Sequence, residues 1–353
     1  MKILFDHQIF YKKLGGASKY FVKMIEALPA EIWSTTVLFP INEYARETGI
    51  MKTYKKFFRG QPILLDYINR PYTNRILLQQ RFDIFHQTNF GTYCLKSLCN
   101  KPMVTTYHDA NLSTIDPHPE IVKMQIESVK RADKVIVVSE NTKNDLLRFF
   151  DVDEKKVQVI YHGIDIPSDD KFVNERLFLF PYILYVGRRS KYKNFSRFIE
   201  AFSLIHHKYP DLKVVCTFNS FSDGELQMFN RFGVREKILH IEADEKLMLQ
   251  LYHQALFFVF PSLYEGFGMP ILEAWACGCP VLLSEASCFP EIAADAGLYF
   301  NPESEEDISE KMCMALDDEK LLAKLADLGK KRVLQFSWQR CATQHMKLYE
   351  SLL

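Results

Sequence analysis

The most informative stretch of this sequence reads Pro261-Ser262-Leu263-Tyr264-Glu265-Gly266-Phe267-Gly268-Met269-Pro270-Ile271-Leu272-Glu273. The apolar run before it, residues 255–260, is rich in Val and Phe and is typical of a strand buried on both faces. Pro270 suits the first turn of a helix, and backbone N–H groups at a helix start point toward an anion. We therefore predict a strand, a glycine-containing turn and a helix that together hold a diphosphate. Glu265 on the turn and Glu273 in the helix would contact opposite ends of one ligand.

A basic loop, Gly187-Arg188-Arg189-Ser190-Lys191-Tyr192-Lys193-Asn194, follows a predicted strand at residues 182–186 and opens another helix. Arg188 could bind phosphate oxygens with its planar guanidinium, and Lys193 could act as a point charge. The alternative is a solvated basic loop, because charge runs usually lie on the surface. The carboxylate turn in the same half of the chain favours the binding site, since a function is argued from converging groups.

The chain has 353 residues, in which 44 Lys and Arg balance 44 Asp and Glu. A single hydrophobic core stops growing at roughly 250–300 residues, so we expect two domains. The balanced charge provides no field that would attract nucleic acid, and the expected partner is a small molecule. The eight cysteines include no Cys-x-x-Cys pair, which favours a reducing cytoplasm. The N-terminus becomes charged too early for a signal peptide, and no apolar run approaches the roughly 20 residues of a membrane-spanning helix.

Short apolar runs alternate with longer helical patterns, which predicts an α/β fold of two doubly wound domains with parallel sheets. The polar stretch at 166–170 separates them, so we predict a first domain at residues 1–167 and a second at 168–337. A last helix at about 338–353 would cross back to the first domain. Binding loops at the carboxyl ends of both sets of strands are expected along one cleft. The predicted strands are 2–9, 36–39, 84–87, 103–107, 134–139, 157–161, 182–186, 213–217, 238–241, 256–260 and 281–283.

Two other candidate sites lie in the first half. Gly15-Gly16 follows the first strand and could let the backbone approach a ligand, although a plain tight turn explains it equally simply. His108 follows the strand 103–107 and is either a site residue or a structural histidine. The third glycine of a Gly-x-Gly-x-x-Gly loop and a Walker loop are both missing, which argues against hydride transfer and nucleotide hydrolysis. No metal is implied.

The stretch from Arg46 to Arg81 carries eight Lys or Arg against two Asp or Glu, with aromatic residues between them. Such a surface could rest on anionic lipid. The alternative is an ordinary basic helix that packs its aromatic residues on the domain.

These motifs resemble those of a large family of retaining glycosyltransferases, group 1 or family 4, which includes bacterial enzymes of surface polysaccharide synthesis. The resemblance rests on the stretch 261–274 continued through Cys277-Gly278-x-Pro280-Val281, on Gly187-Arg188 with Lys193-Asn194, and on Gly15-Gly16. It implies a GT-B fold, with two Rossmann-like domains facing across a cleft. The second domain would bind a nucleotide sugar, and the first would bind the acceptor.

The resemblance also implies roles for individual residues. Glu265 would orient the transferred sugar, Glu273 would bind the ribose, and Arg188 and Lys193 would stabilise the departing diphosphate. His108 would lie near the reacting sugar. The resemblance implies front-face substitution without a protein nucleophile and without a required metal. The remaining residues expected to bind the donor are Gly16, Gly187, Gly266, Phe267, Gly268 and Met269.

The sequence thus predicts a cytoplasmic enzyme that transfers a hexose with retention of configuration. A peripheral position on the cytoplasmic face of the membrane is the second expected location. The expected donor is GDP-mannose or a UDP-hexose, and the expected acceptor is a glycan or a lipid-linked saccharide of surface polysaccharide or lipopolysaccharide synthesis. Two alternatives stay open. One is a sugar-nucleotide 2-epimerase of the same fold, which would need acid and base groups acting on the bound donor. The other is a binding module that has lost the chemistry.

Overall fold

The computed structural model describes residues 1–54, 58–110, 118–173 and 175–353. The chain divides into two compact units, of which the first comprises Met1–Gly163 with Ser337–Leu353 and the second comprises Ile164–Phe336. The last helix, Trp338–Glu350, therefore belongs to the first unit.

The first unit contains a six-stranded parallel sheet in the order β2-β1-β3-β4-β5-β6. The strand order reverses between β1 and β3, and such a switch point is where open α/β sheets bind ligands, beyond the carboxyl ends of the strands. The strands are β1 Ile3–Phe5, β2 Trp33–Thr35, β3 Ile84–Gln87, β4 Met103–Tyr107, β5 Lys134–Val137 and β6 Val157–Val159. The α-helices described in this unit are Gly16–Glu26, Glu43–Glu47, Gln61–Leu78, Pro119–Arg131, Glu140–Phe149 and Trp338–Glu350.

The second unit contains a six-stranded parallel sheet in the order β12-β11-β10-β7-β8-β9. Its switch point lies between β7 and β10, because the chain leaves β7 in one direction and returns at β10 on the other side. The strands are β7 Tyr182–Tyr185, β8 Lys213–Cys216, β9 Ile238–His240, β10 Phe257–Phe260, β11 Val281–Ser284 and β12 Leu298–Phe300. The described α-helices are Phe195–Ile205, Asp223–Arg231, Glu245–Gln254, Met269–Ala276, Phe289–Ala293, Glu305–Asp317, Glu319–Val333.

The sheets confirm the predicted α/β class, but two strands of the first unit differ from their predicted limits by more than two residues. β1 ends at Phe5 instead of residue 9, because the Asp6 carboxylate turns inward and accepts hydrogen bonds from the Thr88 backbone (2.9 Å) and from Gln8 (2.6 Å). β2 ends at Thr35, before the predicted strand at 36–39 begins. Phe39 adopts a left-handed conformation (φ 57°), which ends extended structure there. The edge strand β12 was not predicted.

Six of the eight cysteines are buried and pack as small core residues. All eight are free thiols, and Cys99 is the exposed one. Within the described residues, no helix is long and apolar enough to cross a membrane.

Candidate active site

The switch point of the second sheet places the two predicted binding loops side by side. β7 and β10 are adjacent and parallel, with Ile183 paired to Phe257, so their carboxyl ends lie at the same edge. The loop after β7 begins at Val186, just before Gly187, and the loop after β10 begins at Pro261. The N–H of Leu263 donates to the carbonyl of Tyr192 at 2.8 Å, which ties the loops together. The sheet order therefore brings together motifs more than sixty residues apart.

Lys193 and Glu265 form an ion pair between these two loops. Each side chain is only 16% exposed, and the Lys193 ammonium lies 5.3 Å from the ring centre of Phe260. Ser287 fixes the Glu265 backbone, because its hydroxyl accepts from the Glu265 N–H (3.1 Å) and donates to the Glu265 carbonyl (2.7 Å). The pair therefore places a positive and a negative charge side by side at a position that is largely shielded from water. Sequence reasoning did not identify Ser287, which comes from the loop after β11.

The turn that follows Glu265 enters its helix as predicted. Gly268 has a φ of 91°, a conformation that favours glycine, and a Cβ at this position would crowd Ile271 Cδ1 at 3.0 Å. The helix begins at Met269, and its N-cap residue, Gly268, has no side chain to cap the first turn. Phe267 is 4% exposed and packs edge-on against Phe336, with ring centres 5.9 Å apart. A ligand at this turn would therefore contact the backbone of Phe267 and not its side chain. The neighbouring Gly266 is also buried.

Glu273 is the fifth residue of this helix, Met269–Ala276, and is half-buried. The hydroxyl of the buried Tyr252 donates to Glu273 Oε2 at 3.3 Å. Burial, with the charge of Glu273 second, raises the pKa of Tyr252 well above its ordinary value. The tyrosine therefore remains a hydrogen-bond donor and orients the carboxylate. This partner was missed because it comes from a different helix, Glu245–Gln254.

The basic loop contains two arginines with different surroundings. Arg188 is exposed, and no carboxylate in the described part of the chain pairs with it; its guanidinium carbon lies 5.4 Å from the ring centre of Phe218. Gly187, just before it, has a φ of 115°. Arg189 is 6% exposed and forms an ion pair with Glu225, so it is a structural residue. The ion pair of Arg189 removes it from the candidate phosphate ligands, and Arg188 and Lys193 remain candidates.

The other two predicted site residues, Gly16 and His108, lie in the first unit. Both line a pocket of about 290 Å³ at the carboxyl ends of β1, β3 and β4. This pocket is at the switch point of the first sheet, where a ligand site is expected. Its other lining residues are Ile9, Lys12, Leu14, Gly15, Ala17, Ser18, Thr88, Asn89, Phe90 and Thr106.

His108 presents a neutral imidazole to this pocket. Its ring packs edge-on against Tyr20, with ring centres 5.0 Å apart. Burial, followed by the charge of Lys12, lowers the pKa of His108 to about 4. The Nε2 atom is buried, and among the described residues it has no hydrogen-bond partner. At neutral pH the ring is therefore uncharged, and its Nε2 atom keeps an unused hydrogen-bonding position.

Two family profiles match the chain in succession. "Glycosyltransferase Family 4" matches residues 14–167, and "Glycosyl transferases group 1" matches residues 171–332. This chain belongs to the group 1 and family 4 glycosyltransferases. The first profile covers the unit that holds the His108 pocket, and the second covers both loops around the Lys193–Glu265 pair.

Known relatives agree with this assignment. O-antigen chain mannosyltransferase B of Escherichia coli is 29% identical over 84% of this glycosyltransferase and 82% of the relative. A Campylobacter jejuni enzyme, N-acetylgalactosamine-N,N'-diacetylbacillosaminyl-diphospho-undecaprenol 4-alpha-N-acetylgalactosaminyltransferase, is 26% identical over 87% of this chain and 82% of its own. Among solved structures, Anabaena Alr3699/HepE in complex with UDP and glucose matches with a TM-score of 0.79 and 19% identity, over 99% of this chain and 100% of that one. The structural likeness establishes the two-domain GT-B fold.

Within the described residues, no group of three or more His, Cys, Asp or Glu side chains is arranged to hold a metal ion. The two glutamates of the predicted site have other partners: Glu265 pairs with Lys193, and Glu273 accepts from Tyr252.

Proposed function

We propose that this glycosyltransferase moves a hexose from a nucleoside diphosphate sugar to a glycan or lipid-linked acceptor, with retention of configuration. The observation that carries the proposal is the Lys193–Glu265 ion pair at the switch point of the second sheet. A phosphate group next to a hydroxyl-bearing sugar is the ligand that needs a cation and a carboxylate at the same place.

Each predicted site residue then has a definite task. Arg188 and Lys193 neutralise the diphosphate, while backbone groups of residues 266–269 bind near the start of the helix. Glu265 accepts hydrogen bonds from sugar hydroxyls, and Glu273, oriented by Tyr252, accepts from the ribose. His108 binds the sugar as a neutral imidazole, since its pKa is lowered to about 4.

The proposed reaction exchanges one bond at the anomeric carbon. The bond from this carbon to the diphosphate oxygen breaks, and the electron pair leaves with the nucleoside diphosphate. The acceptor oxygen attacks from the same face, and its proton passes to the departing phosphate. Arg188 and Lys193 stabilise the negative charge that develops on the leaving group. In enzymes that use a metal ion for this task, the cation supplies the same positive charge. We therefore propose catalysis without a metal.

The relatives narrow the substrates as part of this proposal. O-antigen mannosyltransferases from Escherichia coli and Salmonella typhimurium are among them, which favours mannose and surface polysaccharide synthesis. The Campylobacter jejuni relative has a diphospho-undecaprenol saccharide in its name, which favours a lipid-linked acceptor. Because Anabaena Alr3699/HepE was solved with UDP and glucose, both GDP-mannose and UDP-hexoses belong in the test.

A thermal-shift screen with UDP, GDP, ADP and their sugars tests the donor. The true donor raises the midpoint of unfolding, because it binds only the folded protein, and the increase grows with the logarithm of its concentration relative to its Kd. Transfer assays with the identified donor then compare the wild type with Arg188→Ala and Glu265→Ala, which should lose transfer by at least about a hundredfold. Near-normal transfer by either variant would contradict its assigned role. Isomerised sugar nucleotide without an acceptor would indicate an epimerase, and binding without any turnover would indicate a binding module.

A second surface supports contact with a membrane, which we include in the proposal. Within residues 46–81, of which 55–57 lie outside the described residues, large apolar side chains are exposed: Tyr54 is 54%, Ile63 78% and Tyr67 78% exposed. Lys52 and Arg59 are exposed beside them. Aromatic and aliphatic side chains next to cations bind the interface of an anionic bilayer, and the charge contribution weakens with salt.

Vesicle flotation tests this surface. The wild type should float with phosphatidylglycerol vesicles at low salt and should be released at high salt. A variant with Ile63→Ser and Tyr67→Ser should lose most of the binding. Leu179→Ser, which changes a 96% exposed apolar residue of the second unit, is the matched control and should bind as the wild type does. Absence of binding at low salt would refute the membrane proposal.

A further inference from the structure

The loop after β8 is held in place with unusual completeness. Four consecutive carbonyl groups, from Thr217 to Ser220, each accept a hydrogen bond from a side chain. The buried Arg189 donates to the carbonyls of Thr217 (3.2 Å), Asn219 (2.6 Å) and Ser220 (2.9 Å). His240 Nε2 donates to the carbonyl of Phe218 at 2.7 Å. The loop backbone is therefore rigid on both sides of Phe218.

Both the backbone conformation and the exposure of Phe218 in this loop are energetically unfavourable. Phe218 has a φ of 79°, a region that residues with a Cβ rarely adopt, and its ring is 44% exposed. Neither the strain nor the exposed apolar ring helps the chain to fold. Backbone strain that its surroundings hold in place is a common feature of functional sites. The arrangement therefore requires another reason.

The contact of Phe218 with Arg188 supplies that reason. The guanidinium carbon of Arg188 lies 5.4 Å from the centre of the Phe218 ring, within the range of a cation–π interaction. The Arg188 guanidinium has no carboxylate partner among the described residues. The backbone carbonyl of Arg188 accepts a hydrogen bond from the Tyr185 hydroxyl at 3.1 Å. This bond fixes the backbone from which the arginine side chain extends. An aromatic face directs the side chain without neutralising its charge, whereas a carboxylate would compete with a phosphate for it.

We propose that Phe218 is a positioning residue, which holds the Arg188 guanidinium ready to bind the diphosphate of the donor. This inference rests on the proposed function, because it takes Arg188 as a phosphate ligand. A free arginine side chain loses rotamer freedom when it binds, and a prepositioned one loses less. Phe218 therefore contributes to the affinity for phosphate groups through Arg188 and makes no contribution of its own to recognition of the base.

Calorimetric titration of variants tests this role. The ligands are UDP, UMP and uridine, or GDP, GMP and guanosine if the guanine nucleotides bind more tightly. Phe218→Leu keeps an apolar side chain but removes the aromatic face, and it should weaken binding of the diphosphate about fivefold, a loss typical of one exposed cation–π pair. Phe218→Trp should retain the affinity. Binding of the nucleoside should not change in either variant.

A double-variant cycle with Arg188→Ala shows whether Phe218 acts through the arginine. If it does, Phe218→Leu has no further effect once Arg188 is absent. Full loss in both backgrounds, or equal loss for diphosphate and nucleoside, would overturn the proposal, because Phe218 would then contact the ligand directly. A wild type that binds neither nucleotide series would overturn the proposed function and this inference with it. Normal diphosphate binding by Phe218→Leu would overturn this inference alone.

Two glycine substitutions separate strain from function. Phe218→Gly relieves the left-handed strain, so we expect a higher unfolding midpoint together with the same fivefold loss of diphosphate affinity as Phe218→Leu. Phe39→Gly is the matched control in the first unit, since Phe39 also has a positive φ (57°) and is 47% exposed. It should be stabilised while binding nucleotides as the wild type does. Unchanged diphosphate affinity in Phe218→Gly would contradict the positioning role.

Discussion

The ammonium group of Lys193 and the carboxylate of Glu265 form an ion pair that joins the loop after β7 to the loop after β10. The two residues are 72 positions apart, and the adjacent positions of β7 and β10 bring them together. Because each side chain is only 16% exposed, water screens the pair less than it screens a surface pair. A donor whose phosphate meets Lys193 would place its sugar next to Glu265.

The first prediction concerns the two members of this pair. Lys193→Ala and Glu265→Gln should each lower the turnover rate by about a hundredfold or more, because each removes a charge that contacts the reacting part of the donor. The free energy of unfolding should fall by about 2–3 kcal/mol, because each substitution leaves the other charge unpaired at a largely buried position. Steady-state transfer kinetics and urea denaturation measure these quantities.

A second ion pair of the same unit provides the control. Arg197 and Glu305 lie 2.7 Å apart, and they join the helices Phe195–Ile205 and Glu305–Asp317 outside the two loops. Arg197→Ala should leave turnover unchanged. If Glu265→Gln kept more than about a tenth of the wild-type rate, the carboxylate would not lie at the reacting centre.

The sequence predicted the two loops because each is contiguous. A buried strand, a glycine turn and a helix start follow one another at residues 255–273, and local patterns of this kind do not depend on the rest of the fold. The α/β class and the family were predicted in the same way and are confirmed. The roles of Arg188 and Glu273 stay predictions, since they depend on a bound donor.

The features that the sequence did not reveal depend on contacts between distant residues. Ser287 fixes Glu265 from another loop, and the position of Phe218 depends on a buried arginine from the loop after β7. The end of β1 could not be predicted either. Asp6 looks like a continuation of the strand until its partner Thr88, 82 residues away, is known. Buried polar groups need such partners, and sequence periodicity does not name them.

The second prediction concerns the ribose contact. Glu273→Gln should weaken binding of a nucleoside diphosphate about tenfold, because a hydrogen bond to a charged group contributes about 1.5 kcal/mol. The same substitution should have little effect on a 2′,3′-dideoxy analogue, which lacks the hydroxyls. Tyr252→Phe should cause a smaller loss, since it removes only the 3.3 Å hydrogen bond that orients the carboxylate. Calorimetry measures all three affinities, and an equal loss for both ligands would place Glu273 away from the ribose.

The third prediction ranks three glycines of the second unit by the loss of stability that substitution with alanine causes. Gly268→Ala should destabilise most, by about 2 kcal/mol, because it combines a positive φ (91°) with a contact of 3.0 Å to Ile271. Gly187→Ala should cost about 1 kcal/mol, since a Cβ there meets open space and only the conformation is strained. Gly224→Ala, in a helix with no close neighbour, should be neutral or slightly stabilising. Urea denaturation of the three variants checks the order, and a Gly268→Ala protein as stable as Gly224→Ala would contradict it.

The fourth prediction concerns acid stability of the first unit, where four buried or half-buried histidines lie together. Burial lowers the pKa of His86 and of His162 well below the ordinary value, with the charges of neighbouring histidines as the second cause. It also lowers the pKa of His345 and of His108 to about 4. His345 is fully buried, with Nε2 2.9 Å from the hydroxyl of Tyr20. All four rings are therefore neutral in the folded protein at neutral pH.

The sign of the pH effect follows from these lowered values. In the unfolded chain a histidine binds a proton below its ordinary pKa of 6.5, whereas His345 in the folded protein stays neutral until about pH 4. Acid therefore favours the unfolded state, and the stability present above pH 6.5 is lost as the pH falls toward 4. His345 alone should account for about 3 kcal/mol of this loss. Urea denaturation from pH 7 to about pH 5 should show a steep decrease in the free energy of unfolding. His345→Gln should give a shallower decrease, because the unfolded variant binds one proton fewer in acid than the unfolded wild type does. A wild-type stability that is independent of pH over this range would refute the prediction.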